Sequence, residues 1–132
     1  MPIVRQDWVV RQDLKDNPFK TYLFGDNYER KGFGGQAKEM RGEPNSVGIV
    51  TKYSPSNSED SFFGNSDQDT IFQISLIEKD LRPVINLLVI GRTIVIPSDG
   101  LGTGLSRLPE KASMTHAYLE ARLKMLEDLF ND

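Results

Sequence analysis

The segment TIVIPSDGLGTGLSRLP, Thr93 to Pro109, changes character halfway along. Thr93 to Pro97 are uncharged and rich in β-branched side chains, the composition of a strand buried on both faces. Gly100, Gly102 and Gly104 then follow among the small polar residues Ser98, Asp99, Thr103 and Ser106. A buried strand that opens into a flexible polar loop is the pattern of an open α/β sheet, in which ligands bind beyond the carboxyl ends of the strands. Glycine suits such a loop because it has no side chain to block close approach and it accepts positive φ.

A second stretch, YLFGDNYERKGFGGQA from Tyr22 to Ala37, repeats the pattern. A strand over Thr21 to Phe24 turns at Gly25-Asp26-Asn27, and Gly32, Gly34 and Gly35 lead into a short helix within GGQAKEMR. Further strands are predicted at Trp8 to Gln12 and Val47 to Thr51. Between Asp69 and Leu88, Ile71, Ile74, Ile77, Leu81, Val84, Ile85 and Leu88 recur at helical spacing, and Pro83 is expected to kink that helix or start another. SMTHAYLEARLKMLEDLF reads as a last helix with Ser113 as its cap and Ala117, Ala121, Leu126 and Leu129 on its inner stripe. Lys52 to Asp69 reads as a long exposed loop in which Phe62 and Phe63 either pin the loop to the body or line a site. Strands that alternate with helices argue for a layered α/β domain with a partly parallel sheet.

The chain has 132 residues, enough for one domain with its own core, spanning 1–132. It has no cysteine, and its single histidine, His116, cannot anchor a histidine metal cluster alone. No apolar run is long enough for a membrane span, and MPIVRQDWVV lacks a signal-peptide pattern, so a cytoplasmic protein without membrane partners is expected. The formal net charge of -3 argues against non-specific nucleic-acid binding. It leaves room for a single nucleotide, whose phosphates can be held by backbone N–H groups alone. The glycine stretches match neither G-x-G-x-x-G nor the Walker motif.

The order of these segments resembles that of the macro domain, a three-layer α/β/α fold that binds ADP-ribose. VVRQDL puts Asp13 where that family has an adenine-contacting acid. YLFGDN resembles the strand and turn that end in a ribose-side asparagine, here Asn27, and GFGGQA resembles the first phosphate loop. VGIVTK resembles the next strand, and TIVIPSDGLGTGLSRLPEKA the strand and second phosphate loop before the final helix. The likeness in order runs from Asp13 to Phe130, with loose motif matches, as in a small, divergent relative. It implies a three-layer domain with a mixed, partly parallel sheet. It also implies binding of ADP-ribose or a related NAD-derived nucleotide, removal of ADP-ribose from a modified macromolecule as a possible activity, and no cofactor.

On that resemblance Asp13 accepts from the adenine amino group and Asn27 holds the distal ribose. Gly32, Gly34, Gly35 and Gln36 face Gly100, Gly102, Thr103, Gly104 and Leu105 around the diphosphate. Each polar residue also has a local reading: Asp13 as a cap or turn acid, Asn27 as a turn residue, Thr103 as a loop hydroxyl. Gln36 stands where hydrolytic members often carry an acid and cannot act as a general base. The candidate catalytic acids are therefore Asp26 and Asp99, although a carboxylate surrounded by backbone N–H groups makes a poor base. Arg41 and Lys52 read as phosphate partners or solvated charges, His116 as a structural histidine or an acid–base group, and Trp8 as core filler or a base-stacking platform. Two further readings stand beside the enzyme: a non-catalytic binder that sequesters a nucleotide signal, and a protein-interaction domain whose glycine loops are purely structural.

Overall fold

The computed structural model describes residues 1–132. In chain order the elements are β1 (Ile3–Gln6), α1 (Arg11–Asp16), β2 (Lys20–Asn27), α2 (Ala37–Met40), β3 (Ser46–Lys52), α3 (Asp67–Val89), β4 (Thr93–Pro97), α4 (Leu108–Lys111) and α5 (Ser113–Phe130), with a 3₁₀ turn at Glu59–Ser61 before α3. The four strands form one sheet in the order β1-β4-β2-β3. Every pairing is parallel, so the sheet is not mixed as expected. Each strand-to-strand connection runs through a helix, which is what parallel neighbours require.

β4 lies between β1 and β2, and its side chains are buried on both faces. Ile94 and Ile96 face the layer of α3 and α5, where Ile77, Leu81, Leu119 and Leu123 meet them together with Leu23 and Ile49. Val95 points the other way, to Tyr22, Phe24, Leu14 of α1 and Met40 of α2. The α/β/α layering thus follows from period-2 alternation in strands that are apolar on both sides.

The structure departs from the sequence-based expectations in four places. Trp8 to Gln12 is not a strand: the first strand is Ile3–Gln6, Arg11–Asp16 is a helix, and Trp8 is 58% exposed rather than core. Pro83 does not restart α3, which is one helix of 23 residues; Ile71 faces solvent, and Ile77, Leu81, Val84 and Leu88 make its buried row. In α5 the buried row is Thr115, Leu119, Leu123 and Leu126, whereas Ala117, Ala121 and Leu129 face outward. The reason is Thr115, whose hydroxyl donates to the side-chain amide oxygen of the buried Gln73 of α3, so a polar residue sets the helix's rotation. The N-cap of α5 is Ala112 rather than Ser113. The loop after β3 is pinned, with Phe63 fully buried and edge-on to Tyr53 at 4.7 Å between ring centroids.

Candidate ligand-binding site

Two adjacent strands of the sheet, β4 and β2, send their chains to opposite faces: β2 leads to α2, and β4 leads to α4 and α5. That divergence opens a crevice at their carboxyl ends, the place where open α/β sheets bind ligands. A cleft of about 360 Å³ lies there, within the range of small-molecule sites. Gly34, Gly35 and Gln36 line one wall, and Ser98 to Gly100 with Gly102 to Ser106 line the other. The two glycine loops therefore share one site. They are also in contact, since a Cβ added to Gly34 would fall 2.6 Å from Leu105 Cδ1.

The glycines divide by role. Gly102 has φ +79°, and a Cβ there would lie 2.9 Å from Leu108, so it lets the loop fold tightly onto α4. Gly100 has φ +85° and packs against the Glu120 carboxylate. Gly104 has an ordinary φ and open space around it, so its freedom is used neither for conformation nor for packing. The N–H groups of Gly32 to Gln36 on one loop, and of Leu101 to Ser106 on the other, donate to no acceptor within the chain. Runs of unpaired backbone N–H groups in glycine-rich turns are concavities for anions.

The end of β1 adds Gln6 and Asp7, which nothing in the sequence placed at the site, and Trp8, for which a base-stacking position was one of two expectations. At the β1 end the acid on the cleft is Asp7, whereas Asp13 belongs to α1: its carboxylate accepts from the Val10 N–H at 2.9 Å and from the Gln6 side chain at 3.0 Å. Asp13 is thus a helix-capping acid, away from the cleft. Gln36 lines the cleft, but its amide is consumed: it donates to the Val9 carbonyl and accepts from the Val9 N–H, each at 2.8 Å. This two-way bond ties the first glycine loop to the turn that carries Trp8.

Asp26 is 6% exposed and accepts from both Arg41 Nη1, at 3.2 Å, and Arg41 Nη2, while its own neighbour Asn27 donates its N–H to it at 2.8 Å. Arg30 stands 3.6 Å away. Both Asp26 oxygens are thus engaged, and Arg41 is its partner rather than a solvated charge. Asn27 is turned onto its own loop, its amide donating to the Lys31 carbonyl at 2.7 Å. Asp99 is exposed on the cleft and in no ion pair. Thr103 is exposed there too, and the Ser106 hydroxyl lies 2.7 Å from Thr51 Oγ1. His116 sits outside the cleft on α5, 3.7 Å from Glu120.

A smaller pocket of about 80 Å³ shares Gly25, Gly34, Leu105 and Ser106 with the cleft and continues toward the end of β3. Lys31, Arg41 and Lys52 line it, together with Asp26. Across the sheet the order is therefore Trp8 at β1, the glycine loops of β4 and β2, then Lys52 at β3.

One family model, described as a family of unknown function (DUF7831), matches residues 4–122. No curated protein and no solved structure matches the chain.

Proposed function

The chain belongs to the DUF7831 family, and we propose that its cleft binds ADP-ribose or a related NAD-derived nucleotide. One observation carries the reading: two glycine-rich strand-end loops, with unpaired N–H groups, face each other at the switch point of a parallel sheet. A diphosphate supplies the acceptors those groups lack. An exposed indole at one end of the cleft offers a stacking surface for a base, and Asp7 beside it offers an acceptor for an exocyclic amine. The macro-domain resemblance supports the same ligand.

Between binder and hydrolase, the engagement of Asp26 favours a binder. Hydrolysis of ADP-ribose from a modified macromolecule would have to use Asp99, the exposed acid on the β4 loop. Asp99→Asn would then abolish turnover while leaving binding in place.

Titration calorimetry with ADP-ribose, ADP and NAD tests the proposal. Binding is expected for wild type and strong weakening for Gly104→Val, whose new side chain enters open space at the cleft without straining the backbone. Asn27→Ala is expected to weaken binding by about 1–3 kcal/mol, acting through the loop it ties to Lys31. Absence of binding for all three ligands at millimolar concentration would overturn the reading and leave the glycine loops as structure for an interaction domain.

A further inference from the structure

Lys52 is 5% exposed, yet it takes part in no ion pair and its ammonium donates no hydrogen bond within the chain. A buried lysine is almost always paired. The other cations of the small pocket have carboxylates: Arg41 holds Asp26, and Lys31 reaches Glu29 at 3.0 Å. What Lys52 has is the face of Phe62, with its Nζ 4.6 Å from the ring centroid. An aromatic face attracts the charge but accepts no conventional hydrogen bond. The pocket is too small for a sugar and a base together, and it adjoins the cleft, sharing Gly34 and Leu105 as common wall.

We infer that this pocket is an anion subsite in which Lys52 is the anchor, so that the natural ligand carries a compact acidic group, phosphate or carboxylate, in addition to the groups held by the glycine loops. The inference rests on the proposed nucleotide reading for what fills the neighbouring cleft, but not for the subsite itself. Burial holds the Lys52 ammonium below the usual lysine range, which is the direction expected when no counter-charge offsets desolvation. A bound anion would supply both the missing acceptors and the missing charge; Asp26 also lines the pocket, but its carboxylate is held by Arg41, which leaves Lys52 and Lys31 as the cations facing the space.

Inorganic phosphate is the probe. The side-chain nitrogen resonance of Lys52 is followed by NMR in the intact protein as phosphate is added, and phosphate affinity is measured for wild type, Lys52→Met and Lys52→Arg. The expected result is a saturable shift of the Lys52 signal, affinity at least about tenfold weaker in Lys52→Met, and retention in Lys52→Arg, in line with the loss or preservation of one charge-assisted hydrogen bond. A Lys52 signal indifferent to phosphate, or equal affinity in wild type and Lys52→Met, would overturn the inference. The wild-type signal decides even if Lys52→Met fails to fold. ADP-ribose is titrated separately: its failure to bind beside a responsive Lys52 would reject the nucleotide reading and keep the subsite, and the converse would do the opposite.

Discussion

At the scale of single residues, Gly48 is the quietest requirement in the molecule. A Cβ built there would lie 2.5 Å from Asp26 Oδ2 and 2.8 Å from Asp26 Cβ, so β3 passes close to the carboxylate that Arg41 clamps. Gly48→Ala should cost about 1–3 kcal/mol through overpacking. Gly104→Ala should cost nothing, because the space around it is open. Denaturant unfolding of the two variants checks this, and equal stabilities would show that the Asp26 carboxylate has room to move. Asp26→Asn should be worse than either. It leaves Arg41 facing a neutral group, at the low end of the about 3–5 kcal/mol of a broken buried pair because Arg41 reaches solvent. Asp99→Asn, exposed and outside any ion pair, should leave stability unchanged. The same residues show why the acids were hard to rank from sequence. Asp26 and Asp99 both sit in glycine turns at strand ends, and only the fold brings Arg41, fifteen positions along the chain, onto the first and nothing onto the second.

Among the elements, the first sixteen residues were the least legible. The tetrapeptide Val-Arg-Gln-Asp occurs twice, at Val4 to Asp7 and again at Val10 to Asp13. The first copy forms most of β1 and then bends toward the cleft, and the second starts α1. No local propensity separates identical tetrapeptides. What separates them is pairing with β4 for the first, and for the second the capping acid Asp13 with the anchor of Arg11 to Glu39 of α2 and to Glu43 just beyond it. By contrast β4 and the two long helices could be read directly, because burial on both faces, or along one stripe, leaves a periodic trace in composition. The α3–α5 contact adds a prediction. Burial raises the Glu78 carboxyl, but hydrogen bonds from Arg122 and Tyr118 outweigh it and leave the group below the usual carboxylate range. A depressed carboxyl contributes stability at pH above its unfolded value, about 4.3, and that contribution vanishes as pH falls through the folded value. Glu78 is partly exposed, so no more than about 1 kcal/mol is at stake. Glu78→Gln should lower the melting temperature at neutral pH, and the gap to wild type should close in strong acid. A gap that persisted in acid would assign the effect to shape instead of charge.

Taken whole, the molecule lays out its candidate site along the carboxyl edge of the sheet. Strands in a sheet lie about 4.8 Å apart, so the three spacings from β1 to β3 span about 14 Å. A ligand lying along this edge would meet the indole of Trp8 first, then the glycine loops of β4 and β2, then the pocket of Lys52. If the cleft holds the nucleotide proposed above, that order gives it a direction: base at β1, diphosphate in the middle, distal group toward β3. Trp8 is the only tryptophan of the chain, so its emission reports on one end of the site alone. Adding ADP-ribose should change Trp8 fluorescence, and Trp8→Ala should weaken ADP and ADP-ribose alike, by about 1–3 kcal/mol if a base stacks there. Gln36→Ala should weaken them as well without removing any ligand contact, because it releases the Val9 turn that holds the indole at the cleft. Phosphate held at Lys52 should be indifferent to both changes, since the two ends lie on opposite flanks of the sheet. Calorimetry and fluorescence on the same samples decide the direction. Binding by calorimetry with unchanged Trp8 emission, and with full affinity in Trp8→Ala, would mean that the base lies elsewhere and that the ligand's polarity along the sheet is reversed.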